Sequence, residues 1–183
     1  MKILKYLFLL AILFLIALTI FVATLNPDYK IVRTNIVNVK RSVVFEYVNN
    51  LKNWEYFDAQ KIENSNIKFS YSKNTVGNGA YINIKNNPTI NKIEILSTKK
   101  NETINQIMFD NDKKSEINWI FKDTLGKTKI SCIMKGKLGF WEKMYVNFAG
   151  GSDKILGENC EKSLSNINKN LDYVVIQILL VYL

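Results

Sequence analysis

The side chains that could do chemistry are few. Carboxylates near the predicted strands and helices are Glu46, Glu55, Asp58, Glu94, Glu102 and Asp110. None pairs with another on a predicted inward face, and general acid–base work needs a positioned acid or base beside the reacting atom. They read as solvated surface charges. The chain has no histidine, which removes imidazole bases, His-containing metal sites and Ser–His or Cys–His nucleophile pairs. Cys132 and Cys160 fit no metal or redox spacing. Both fall on predicted apolar faces, as buried thiols do; a disulfide is the alternative if the domain lies outside the cytoplasm. Gln106 is the polar residue set among inward-alternating apolar ones. No cofactor is expected.

The elements that must hold these residues are mostly strands. Ile67, Phe69 and Tyr71 alternate with polar residues, and the rhythm returns at Ala80, Ile82 and Ile84 and at Ile93 and Ile95. It continues at Ile117, Trp119 and Phe121 and at Ile130, Cys132 and Met134. Period two lines one face of an antiparallel sheet. Turn-forming clusters separate the runs at 74–79, 86–88, 99–101, 110–113 and 123–126. The stretch 102–110 is ambiguous: Ile104, Gln106 and Met108 face one way, Ile107 and Phe109 the other.

Two helical regions flank this meander. Val44, Phe45, Val48 and Leu51 make an apolar stripe behind Ser42, which suits an N-cap. The cluster Trp54-Glu55-Tyr56-Phe57 follows, either as a core plug or as one wall of a cavity. After the meander, Phe140, Trp141, Met144, Tyr145 and Phe148 suit one broad helix face. Gly150-Gly151 breaks the pattern, and Leu156, Cys160, Leu164, Ile167 and Leu171 form a second stripe behind Asp153. Gly157 within that helix predicts a close approach to the sheet.

Tyr6 to Leu25 is apolar apart from two threonines, and about 20 residues match a bilayer-spanning helix. A cleaved signal peptide is the rival, but its apolar region is usually shorter and ends in a small-x-small site. Lys2 and Lys5 favour an inside N-terminus and an outer domain, although Lys30 and Arg33 weaken the contrast. The expected organisation is an anchor at 1–27, a domain at 28–172 and an apolar tail at 173–183. Such a tail needs burial or a membrane-protein partner. Net charge is +9, but the lysines are scattered, so no nucleic-acid partner is expected; anionic lipid headgroups fit better.

Several pieces resemble the START-like superfamily, also called the SRPBCC or polyketide cyclase/dehydrase group. They are the segments 44–54, 76–80, 126–130, 134–138 and 154–157, in family order. The chain looks most like bacterial members that carry an N-terminal membrane helix. The resemblance implies an α+β helix-grip fold: a seven-stranded antiparallel curved sheet around a long C-terminal helix, with a cavity between them. It also implies that Tyr29 lies near Gly136 and that this end of the sheet faces the membrane. Phe57, Gln60, Ile84 and Cys132 stand where members often carry Trp, and the proline common before the first helix is absent. Many relatives continue into a second small-molecule-binding domain, so a shortened form is expected here.

Three functions follow. The first is a membrane-tethered module holding a hydrophobic or amphipathic small molecule or lipid. Its site would be Trp54, Tyr71, Ile82, Ile84, Gln106, Trp119, Cys132 and Met134, closed by Trp141, Tyr145 and Phe148. A core filled by those same side chains is the alternative. The second is a cyclase/dehydrase-like enzyme, for which no catalytic residue stands out. The third is a protein-interaction module using the tail.

Overall fold

Period two in the sequence becomes one continuous sheet. The computed structural model describes residues 2–181, and the side chains of residues 3–173. Helix α1 (Lys2–Thr24) precedes β1 (Asp28–Val37). Then come α2 (Arg41–Asn49), a 3-10 turn (Leu51–Asn53), α3 (Trp54–Phe57) and α4 (Ala59–Glu63). The meander is β2 (Lys68–Tyr71), β3 (Tyr81–Asn86), β4 (Thr89–Lys99), β5 (Thr103–Asp110), β6 (Lys113–Thr124) and β7 (Lys127–Lys137). Helices α5 (Phe140–Phe148) and α6 (Ser152–Val181) close the chain. The strand order is β1-β7-β6-β5-β4-β3-β2, antiparallel throughout. A register shift between Ile95 and Ser97 breaks the β4–β5 ladder, and such bulges bend a sheet.

Tyr29 pairs with Gly136, as expected. The ambiguous stretch is β5. Its inward set is Ile104, Gln106 and Met108, while the ammonium groups of Lys92 and Lys114 lie over the outward Phe109 ring. The Ser42 cap is corrected: α2 starts at Arg41, so the N-cap position falls two residues earlier, on Lys40, and no side chain caps it.

Two packings build the core. Val44, Phe45, Val48 and Leu51 bury the α2 face against β6 and β7, with Phe45 edge-on to Phe121 at 5.5 Å. The α6 stripe buries Cys160, Leu164, Ile167 and Leu171, chiefly over β1. Arg33 of β1 reaches α6, where its guanidinium meets both Asp153 carboxylate oxygens at 2.9 Å. The same guanidinium occupies the space a side chain at Gly157 would need. The close approach expected at Gly157 is therefore to an arginine head, not to the backbone of the sheet. The apolar tail expected at 173–183 lies, after Tyr173, outside the residues whose side chains are described; the backbone of α6 runs on to Val181.

Two stability tests follow from these contacts. Leu125 is fully solvent-facing at φ 54° in the turn before Gly126, a conformation that costs a branched residue roughly 1 kcal/mol. Leu125→Asn is expected to raise the thermal midpoint of the detergent-solubilised chain by about that energy; an unchanged or lower midpoint refutes the strain. Gly→Ala inside a helix gains up to about 1 kcal/mol. At Gly157 that gain is expected only in an Arg33→Ala background, because in the native chain the new methyl displaces the guanidinium. Equal gains in both backgrounds would refute the close approach.

Candidate functional site

Because α6 rests chiefly on β1, a space is left between this helix and strands β3 to β7. A partly open cavity of about 140 Å³ lies there. Ile84, Ile93, Met108, Ile117, Cys132 and Met134 form its sheet side. Leu156, Asn159, Cys160 and Ser163 face them from α6, and Trp54, Phe57 and Asp58 close one side. The register shows which half of the sheet this is. Met134 pairs with Ile31 and Ile117, Met108 with Ile93, and Ile84 with Asn91. These positions lie toward the end where Asp28 meets Lys137, just after α1. The opposite half is filled by the α2 face.

The aromatic wall is a contact chain. Trp54 lies 5.2 Å from Phe57 and edge-on to Trp119 at 6.2 Å, ring centre to ring centre. The Trp119 indole N–H donates to Gln106 Oε1 at 2.9 Å. Gln106 is buried but stands behind Trp119, so it orients the wall and is not part of its surface. The Trp54 indole N–H has no partner in the protein, although Trp54 is 4% exposed. A buried donor left unpaired costs roughly 1–3 kcal/mol. The thiols of Cys132 and Cys160 meet at 3.9 Å across the sheet–helix gap, unbonded and buried. The hydrogen bond to Cys160 and burial hold Cys132 well above its ordinary pKa, so it is a neutral thiol.

Of the residues the sequence suggested, Trp54, Ile84, Trp119, Cys132 and Met134 come together in the wall. Tyr71 stands outside it, half-buried, and donates its hydroxyl to Glu55 at 2.7 Å. Ile82 is solid core. Trp141, Tyr145 and Phe148 require a correction. They are 71%, 63% and 71% exposed and do not reach the cavity. Gly150 and Gly151, both at positive φ, turn the chain between α5 and α6. Before that turn α5 buries Val146 and presents its aromatic stripe outward.

No family model and no curated protein sequence matches the chain. Solved structures do match. An uncharacterised protein from Rhizobium leguminosarum aligns over 80% of this chain and 95% of its own, with a TM-score of 0.59 and 12% identity. KanY aligns over 79% and 98%, with a TM-score of 0.57 and 14% identity. Ara h 8.0201 aligns over 78% and 97%, with a TM-score of 0.53 and 9% identity. The domain has the helix-grip fold. At these identities the likeness establishes architecture and nothing of what the cavity holds.

In this helix-grip domain, sequence reasoning missed Tyr29, Asp58 and Ser163 as wall residues. Ser163 lies three residues after Cys160 on the same stripe, so helical period already included it. Its hydroxyl accepts from the Ala59 N–H at 3.0 Å, tying α6 to α4. Asp58 carries a helix-start signal: its Oδ1 accepts from the Lys61 N–H at 2.8 Å as the cap of α4. It is the one carboxylate in the cavity wall. Burial pushes its pKa up, against the pull of the Lys61 and Gln60 backbone N–H groups.

That direction has a consequence for stability. A carboxyl whose folded pKa is raised binds more protons folded than unfolded, so stability falls as pH rises through its folded pKa. Asp58→Asn keeps the cap and removes the charge. The variant is expected to be more stable than the native chain at neutral pH and equal to it at low pH. Thermal unfolding across that range checks this; a variant less stable at neutral pH refutes it.

Proposed function

We propose that this chain is a membrane-tethered helix-grip domain that holds a compact hydrophobic or amphipathic ligand between its sheet and α6. In this reading 1–27 is the anchor, 28–172 the binding domain and 173–183 an apolar extension. The observation that carries it is the partly open apolar cavity between sheet and α6, walled by Trp54, Trp119, Met108 and Met134. The volume limits the occupant. An engineered apolar cavity of about 150 Å³ takes up benzene, so the enclosed part of the ligand is of that order. Typical ligand pockets are larger, roughly 300–1,000 Å³. A longer ligand must extend through the open side or displace the flexible Met108 and Met134. The apolar run of α1, 22 residues that include an 18-residue stretch of mean hydropathy 2.9, supports the tether. Lys2 and Lys5 support an outward-facing domain.

A catalytic reading has Asp58 as its one carboxylate in the wall, with the Tyr29 phenol and the Cys132 and Cys160 thiols as its other titratable groups. The Asp58 Oδ1 is committed to capping α4, the Tyr29 hydroxyl is held by Ser115, and the two thiols face each other. Each group already has a structural partner, and general acid–base work needs one free beside the reacting atom, so binding is the stronger reading.

Native mass spectrometry of the detergent-extracted full chain tests it. A co-purified small molecule is expected, and it should be lost from Leu156→Trp, which fills the cavity from α6. Emission of Trp54 and Trp119 should also change when small aromatic carbonyl compounds are titrated in. A chain that carries no adduct and shows no emission change with any of them sinks the proposal.

A further inference from the structure

The aromatic face that misses the cavity has its own surroundings. Trp141, Tyr145 and Phe148 lie at i, i+4 and i+7 on α5, one exposed stripe on a short helix. The other side of α5 is tied to the end of α1. Lys143 Nζ donates to the carbonyls of Ala23 and Leu25 at 3.2 and 3.1 Å. The Leu138 N–H donates to the Pro27 carbonyl at 2.8 Å. Only residues 25–27 separate α1 from β1, so the link spans at most about 10 Å. The base of the domain and α5 are therefore held within that distance of the point where α1 ends.

A basic groove adjoins α5 on the same base. Lys30, Lys113, Lys114, Lys135 and Lys137 line it, against Asp28, Asp112 and Glu116. Lys113 is paired with Glu142 of α5, which joins groove and helix. Lys137 is 3.7 Å from Asp28. Lys30 faces Lys135 directly across the β1–β7 pair, with Glu116 on the far side of Lys135. Like charges set opposite each other destabilise a sheet unless an anion comes between them.

We propose that α5 is an interfacial helix. Its Trp141, Tyr145 and Phe148 lie in the headgroup layer of the bilayer that α1 crosses, and the lysine groove beside it takes the phosphate of anionic lipids. Tryptophan and tyrosine favour that layer because one end of each ring system is apolar and the other polar. Lysines near an anionic surface add to the attraction. The inference rests on the tether proposed above and adds a second contact with the same membrane.

The test uses the full chain reconstituted in phosphatidylcholine vesicles, with and without phosphatidylglycerol. Flotation after an alkaline wash reads the tether alone; a chain that does not float removes the tether and this surface with it. In the floating chain, brominated phosphatidylcholine is expected to quench tryptophan emission, and the quenching should be lost in Trp141→Phe. Trp54 and Trp119 are buried and serve as the internal reference. Phosphatidylglycerol should increase the quenching, and Lys30→Gln/Lys135→Gln should abolish that increase. A floating chain quenched no more than Trp141→Phe overturns the interfacial helix and leaves the tether standing. Quenching indifferent to phosphatidylglycerol overturns the headgroup groove.

Discussion

The domain depends on α6 staying seated on β1. Two kinds of contact hold it there, and they differ in weight. The apolar stripe from Cys160 to Leu171 is buried almost completely, and each large aliphatic side chain so buried contributes roughly 1.5–3 kcal/mol. The Arg33–Asp153 pair is solvent-facing on its acidic side, and exposed ion pairs contribute little. Burial therefore supplies the stability and the pair supplies the register. A helix with a smooth leucine stripe could slide by a turn along the strand. The guanidinium seated at Gly157 and forked onto Asp153 fixes which turn of α6 stands above Arg33.

That seating decides where the interior is full and where it is open. The half of the sheet away from α1 receives the α2 face and is solid, with Val44, Phe45, Val48 and Leu51 all buried. The half nearer α1 has no such plug. It is bordered by the Trp54–Phe57 turn and by the first half of α6, and the side chains between them do not fill the gap. Tyr29 borders both this cavity and the basic groove outside. Its hydroxyl is held by Ser115 at 2.9 Å, and Gly136, its strand partner, leaves room for the ring. One phenol thus separates the interior from the surface that faces α1.

Much of this was legible in the sequence, because alternation and turn chemistry are local properties. The runs around Ile82, Ile95, Phe121 and Ile130 and their intervening turns give the meander directly. The stripe of α6 gives its buried face. What the sequence could not supply was the medium each face meets. The stripe of Trp141, Tyr145 and Phe148 has the same helical period as that of Leu164, Ile167 and Leu171, yet one is exposed and the other buried. Period reports that a face exists and says nothing of its partner. The cavity wall was legible where it coincided with inward strand positions, as at Ile84, Trp119 and Met134, and at Trp54 in the aromatic cluster. Asp58 and Tyr29 enter it through turns and strand ends, whose placement depends on the whole fold. Gln106 was read as inward and is so, but its role is to hold Trp119, a distinction set by side-chain direction.

Cavity position and base chemistry point the same way. An apolar ligand is far more concentrated in a bilayer than in water, because each buried CH₂ contributes about 0.8 kcal/mol to partitioning. A binding domain held close to the bilayer gains most if its opening lies on the half nearest the lipid, since the ligand then crosses the least water. The wall residues Ile84, Met108 and Met134 occupy the half nearest the end of α1, where the proposed bilayer lies. A single helix such as α1 fixes distance, and the Lys143 bonds to its end only restrain the tilt of the domain. A second contact with the bilayer beside the link sets that tilt. In the proposed arrangement α5 and the lysine groove supply it, so that the half of the sheet carrying the cavity is kept toward the lipid.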